Sequence, residues 1–306
     1  MKVLMCKNRK VYNISEQLVL CENLLPGIML KNPNEAGFEF WQESRYSSNT
    51  NAWAMQLIGD AFGQESRDLI NSTTRELSLS DCYWITDADD DIKFKNISPY
   101  YSEFWKGIGN YEGGAIPTLY VDGFLSKKWA DANTLVKRSS PLEVECLELA
   151  ERLGMNCAKG FVLNKKNIAV YNFTNTNRML ESANVSGFID PNFFTEEDII
   201  RHLGITGIDM IIIDAIVGNG DRHTGNFGFL RDADTGTYLG PAPIFDFDHA
   251  LDARGTGRDF LTADVTNTLK ESSDGVKRFL ELFRRSQTVD MRPVFRERLN
   301  FMKSQF

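Results

Sequence analysis

The sequence predicts an α+β chain of two lobes, one small and β-rich, the other mainly helical, behind an N-terminal extension. Three observations carry this reading. Apolar extended stretches separated by turn residues come in pairs between 116 and 173, and a sharply capped helix lies between the pairs. The polar run Thr174-Asn-Thr-Asn-Arg178 then parts this β-rich region from an apolar helix that empties into a glycine-punctuated loop. The divisions fall at 1–105, 106–174 and 175–306.

Residues 1–105 are rich in Asn, Ser and acids and weakly periodic. A turn at 59–63 leads into a short helix expected from Gln64 to Leu77, Leu79 to Ile85 reads as a strand, and Asp87 to Asp91 as a solvated loop. The spacing of Asp87, Asp89 and Asp91 imitates a calcium loop. Ile92 stands where such a loop needs glycine, however, and Ser98 where it needs glutamate. Next, Gly107 to Ala115 is glycine-rich, Ile116 to Val121 is a strand, Asp122-Gly123 a turn, and a second extended stretch ends at Thr134-Leu-Val-Lys137. Such a glycine loop can lay backbone N–H groups over a triphosphate, and a plain surface turn uses the same residues.

The capped helix is Pro141 to Leu153, with Ser140 at the N-cap, Pro141 in the first helical position and Gly154 as the stop. Leu142, Cys146, Leu147, Leu149, Ala150 and Leu153 share one face, and Glu143 falls inside that arc. A carboxylate among apolar neighbours needs a partner. Lys137, at the end of the preceding strand, offers an ion pair; Ser140, three residues back, offers a capping box; the two are compatible. Strands at Phe161–Leu163 and Ile168–Phe173 follow. A short helix capped by Thr195 with Asp198 ends near Gly204, and an apolar helix runs from Ile208 to Val217.

Composition narrows the function. A net charge of −8 argues against direct nucleic-acid binding, because a phosphate backbone demands a positive surface. Five scattered cysteines without a C-x-x-C pair, and only three histidines, exclude a zinc framework and argue for a reduced, cytoplasmic setting. The longest apolar stretch, Met210 to Val217, is too short to span a membrane and is broken by Asp214.

The chemistry concentrates in Gly218-Asn-Gly-Asp-Arg-His-Thr-Gly-Asn226 and Pro243-Ile-Phe-Asp246. Phe227–Leu230 and Tyr238–Phe245 read as strands flanking the turn Asp232-Ala-Asp-Thr-Gly236, and such a hairpin returns Asp246 to the side of Asn226. One carboxylate, Asp221, could then handle a hydroxyl proton while Asn226 and Asp246 hold Mg²⁺ against nucleotide phosphates. Each residue alone has an ordinary use in a turn or strand end; the order of helix, D-R-H-x-x-N loop, hairpin and Asp is the order in which kinase-like enzymes present base and metal ligands.

From Gly107 to Leu251 the chain resembles the bacterial HipA-like Ser/Thr kinases, on the loop 218–226, on Ala242 to Asp246, and on Leu135-Val-Lys137 with Glu143. The D-R-H-x-x-N element is also that of phosphoinositide kinases. The resemblance implies a two-lobed protein-kinase-like fold using ATP and Mg²⁺ to phosphorylate Ser or Thr of a protein substrate, itself included. It assigns Asp221 to the acceptor hydroxyl, Asn226 and Asp246 to Mg²⁺, and Lys137, steadied by Glu143, to the α/β-phosphates. Gly109, Gly113 and Gly114 would close over the phosphates, and Val170, Asn172 and Phe173 would supply the adenine hinge. His223 has two readings, at the γ-phosphate or structural within its loop. Asp248 replaces the glycine of Asp-Phe-Gly and either adds a metal contact or caps the segment after it; with Asp246, Asp252 and His249 it raises the alternative of another metal, against which the scarcity of histidines speaks. Thr256 lies in a candidate activation segment. The alternatives are a lipid or small-molecule kinase, and a non-catalytic nucleotide-binding regulator working with a regulatory protein partner.

Overall fold

The computed structural model describes residues 1–44, 75–78, 80–98, 100–101, 121–122, 127–131, 133–190, 192–251 and 258–306. The glycine loop with Gly109, Gly113 and Gly114, most of the helix expected at Gln64–Leu77, Asp252 and Thr256 lie outside these residues. Strands β1 (Lys2–Cys6), β2 (Arg9–Asn13), β3 (Leu18–Val19) and β4 (Tyr83–Asp87) form a sheet in the order β3-β2-β1-β4. A second sheet, β5-β6-β7-β9-β8, is made of Val121–Asp122, Lys127–Asp131, Thr134–Arg138, Asn167–Tyr171 and Gly160–Asn164 respectively. A third, β10-β11-β12, consists of Arg178–Ser182, Gly228–Asp232 and Tyr238–Pro241. The chain divides into two compact units, residues 1–138, 169–187 and 229–240 forming the first and 139–168, 188–228 and 241–306 the second.

In the first unit β1 is antiparallel to both neighbours, Leu4 facing Tyr12 on one side and Ile85 on the other. Val3, Leu4, Met5 and Cys6 are all buried, so both faces of the strand are covered. That is why the segment lacks the alternation that marks a half-exposed strand. Helices α1 (Gly27–Lys31) and α2 (Glu35–Glu43) contribute Met29, Phe38 and Trp41 to the core, and Trp41 meets Tyr83 edge-on at 5.8 Å. Two short helices, α3 (Phe94–Ile97) and α5 (Ala183–Ser186), belong here too. The polar run at 174–178 is a tight turn in which Asn175 Oδ1 accepts from the Asn177 and Arg178 amides. The β11–β12 hairpin forms as expected, with Asp232 Oδ1 accepting the Asp234 and Thr235 amides.

A buried cation organises this unit. Arg231 of β11 donates through Nη1 to Leu25 O and Glu181 Oε1, through Nη2 to Asn23 O and through Nε to Gly236 O. Glu181 also accepts from the Gly27 amide and the Tyr238 hydroxyl. Burial pushes the Glu181 carboxyl up, against the pull of Arg231 and these donors.

The second unit is built round α7 (Ile205–Val217), buried at every residue from Gly207 to Val217. Helices α6 (Glu196–Leu203), α8 (Arg258–Lys270), α9 (Ser273–Ser286) and α10 (Pro293–Ser304) pack on it. A helix apolar on all sides belongs in a core. It begins three residues before the expected Ile208, because Gly207 is inside it: a β-carbon there would stand 2.6 Å from Ile199 O, so only glycine admits this close crossing of α6. Asp209, within α7, is held by a two-pronged contact from Arg278 at 2.7 and 2.9 Å. Helix α4 (Pro141–Arg152) is tied in by Arg285 to Leu153 O and by Arg292 to Glu145. No helix among the described residues is long and apolar enough to cross a membrane.

Thr195 and Asp198 form the full capping box of α6, each side chain taking the other residue's amide hydrogen. Thr195→Ala is expected to cost about 1 kcal/mol in urea unfolding. The Thr195 amide, then its hydroxyl, hold the Asp198 carboxyl below the ordinary aspartate range. Its contribution is therefore complete above that range and is lost as pH falls through the lowered value. The gap between wild type and Thr195→Ala should accordingly narrow without closing as the solution is acidified, because the hydroxyl's bond from the Asp198 amide does not titrate.

Candidate active site

Helix α7 ends at Gly218, whose left-handed backbone (φ +67) turns the chain into the loop 219–227. The loop is pinned from within the core. Asp214, 5 % exposed in the last turn of α7, receives two hydrogen bonds from Arg222, Nε to Oδ2 and Nη2 to Oδ1, both at 2.8 Å, and a third from Asn219 Nδ2 at 2.9 Å. Burial opposes the Arg222 charge, but the Asp214 carboxylate outweighs it, with Asp246 and Asp248 adding to the pull, so the guanidinium is held above its ordinary range. Its remaining nitrogen, Nη1, donates to Asn226 O at 2.9 Å and Phe245 O at 2.6 Å. Residues 226 and 245 thus share one nitrogen atom, and the backbone entering Asp246 is fixed to the backbone of Asn226. The hairpin return that the sequence suggests has this contact at its base, next to a bond from the Ala242 amide to Gly228 O.

Asn226 is 4 % exposed and stitches the loop closed. Its Nδ2 donates to Asp221 O at 3.1 Å, and its Oδ1 accepts the His223 amide at 3.0 Å. The His223 ring bends back over the loop, Nδ1 accepting the Gly225 amide at 3.1 Å. A β-carbon on residue 225 would lie 2.9 Å from that ring, so a larger residue there would displace the imidazole from this position. The carboxylate of Asp221, by contrast, is 54 % exposed. Asp246 adopts φ +68, a left-handed conformation that aspartate tolerates better than most residues.

The donors Asn226 Oδ1, with a second lone pair beyond its bond to His223, and the Asp246 carboxylate are hard oxygens of the kind Mg²⁺ takes, and the set fits that ion. Beyond Asp246, Asp248 and His249 place a ligand atom each within 4.8 Å of one on Asp221. Lys137 is buried in β7 of the first unit. Glu143 is buried in the first turn of α4 in the second unit, where Ser139 Oγ donates to its Oε2 at 2.5 Å. Ser140 caps the helix through its side chain, which accepts the Leu142 amide. Val170 lies in β9; Asn172 follows it, its amide bonded to Asn133 O and its Oδ1 taking the Thr174 amide and hydroxyl, and Phe173 is half-buried.

Sequence reasoning passed over Arg222, Asp214 and Asn219 as the frame of the loop. A signal existed: Asp214 is the charge that interrupts the apolar helix, and an arginine stands eight residues on. A carboxylate in a core implies a cation near it.

Neither a protein-family model nor a curated protein sequence matches the chain. Among solved structures, the Helicobacter pylori proinflammatory kinase CtkA aligns over 58 % of this chain and 88 % of its own, at 18 % identity and a TM-score of 0.39. HipA from Shewanella oneidensis MR-1, in a toxin–antitoxin complex of HipA, HipB and operator DNA, aligns over 100 % of this chain and 95 % of its own, at 12 % identity and a TM-score of 0.51. The chain therefore has a HipA-like fold.

Proposed function

We propose that this protein is an ATP- and Mg²⁺-dependent kinase that phosphorylates Ser or Thr hydroxyls of protein, its own included. The observation that carries the reading is the Arg222 clamp, which sets the backbone of Asn226 against that of Phe245 while leaving the Asp221 carboxylate open to solvent. Asp221 accepts the proton of the acceptor hydroxyl, as a general base in reach of an incoming substrate must. Asn226 and Asp246 would hold the ion, whose chemistry is to neutralise charge on the phosphates. Lys137, steadied by Glu143, binds the α/β-phosphates, and the segment Val170–Phe173 takes the adenine, as the resemblance in sequence assigns them. The phosphoryl group moves from ATP to the hydroxyl oxygen, ADP leaves, and the hydroxyl proton passes to Asp221.

Mass spectrometry of the protein incubated with ATP, Mg²⁺ and a mixture of Ser/Thr peptides tests this. Phosphoserine or phosphothreonine on the chain or the peptides is the expected result. Phosphate found only on a phosphoinositide supplied in parallel, or none on any acceptor, overturns the protein-kinase reading.

A further inference from the structure

Two side chains of the second unit stand outside the roles given above, Asp248 and its neighbour His249. The His249 Nε2 lies 3.6 Å from Asp221 Oδ2 and 4.0 Å from Asp248 Oδ1. Among the described residues, this imidazole is the one side-chain group within ion-pair reach of the Asp221 carboxylate. Two carboxylates brought this near one another repel, and the Asp221 side chain, more than half exposed, is able to swing into water. An imidazole between them, presenting a ring nitrogen that can carry hydrogen, answers both effects, since it donates where the carboxylates can only accept.

We infer that His249 is the positioning residue for Asp221, and that Asp248, in the place where a glycine would be expected, is the second anchor of the imidazole. The inference rests on the kinase reading of Asp221. Asp221 lies in a loop without regular structure, and its main-chain carbonyl is fixed by Asn226 while its carboxylate has no such tether. The imidazole restricts the carboxylate to one setting at which the acceptor hydroxyl finds it. His249 does not touch the reacting atoms and takes no proton from them.

The test is steady-state kinetics of His249→Ala and His249→Gln with ATP and the peptides phosphorylated by wild type, each variant's melting curve being recorded alongside. His249→Ala is expected to lower kcat about 10–100-fold, the order of loss that a misplaced catalytic group produces, with KM for ATP unchanged. His249→Gln, which keeps an N–H donor, restores kcat to within a few-fold, and in an Asp221→Asn background His249→Ala removes nothing further. Should His249→Ala unfold, the glutamine variant and its Asp221→Asn combination decide alone. Unaltered kcat, a change confined to KM for ATP, or an equal loss with and without the Asp221 carboxylate overturns this inference and leaves the kinase reading standing. Wild type that transfers no phosphate overturns both.

Discussion

Arg222→Met is expected to cost about 3–5 kcal/mol of folding stability, because it strands the Asp214 carboxylate inside the core with only Asn219 to answer it. The guanidinium is 8 % exposed and the carboxylate 5 %, so water cannot replace the lost partner. Methionine fills the volume without the charge. The same change removes the guanidinium bond to the carbonyls of Asn226 and Phe245, and the loop 219–227 should lose its registry with the segment that leads into Asp246. Adding Asp214→Leu to Arg222→Met removes the stranded charge and should recover most of the stability, since an apolar replacement of a buried pair is often neutral or better. The double variant should still transfer little phosphate, as the Arg222 contact that joins Asn226 to Phe245 is gone. Urea unfolding and a phosphotransfer assay on the two variants check this; a single variant within about 1 kcal/mol of wild type would show that the pair does not carry the loop.

Asp221→Asn is expected to lower turnover about 10²–10⁴-fold, the usual worth of a positioned general base. Nucleotide affinity should not move. Asn226 is tethered to the main-chain carbonyl of residue 221, which asparagine retains, and the side chain that changes is half in solvent. The folded loop thus survives a change that removes only the proton acceptor. Single-turnover phosphotransfer together with a nucleotide titration separates the two quantities. Incorporation at the wild-type rate in Asp221→Asn would remove this residue from the base role.

What the sequence disclosed was whatever is written locally. The caps of α4 and α6, the Asp232 turn between β11 and β12 and the Asn164 turn between β8 and β9 all rest on side chains bonding to backbone a few residues away, so spacing alone announces them. Strand β1 escaped because burial on both faces erases alternation. The Arg222 clamp escaped for another reason: its partners Asn226 O and Phe245 O are main-chain carbonyls, which every residue has, so no residue type betrays them. The motif could place Asp221, Asn226 and Asp246 in order, but neither the left-handed backbone of Asp246 nor the approach of His249 to Asp221 has a signature in composition or period.

The Arg231 network bears on how the chain is made. Its carbonyl acceptors at Asn23 and Leu25 appear early in synthesis, Glu181 much later, and the arginine and Tyr238 later still. The first unit therefore cannot close on the ribosome until its last segment, ending at Gly240, has emerged. Throughout that interval Val3, Leu4, Trp41 and their neighbours lack part of their cover. Until then these side chains form transiently exposed apolar surface, the kind that makes partly folded chains prone to aggregate and that chaperones cover.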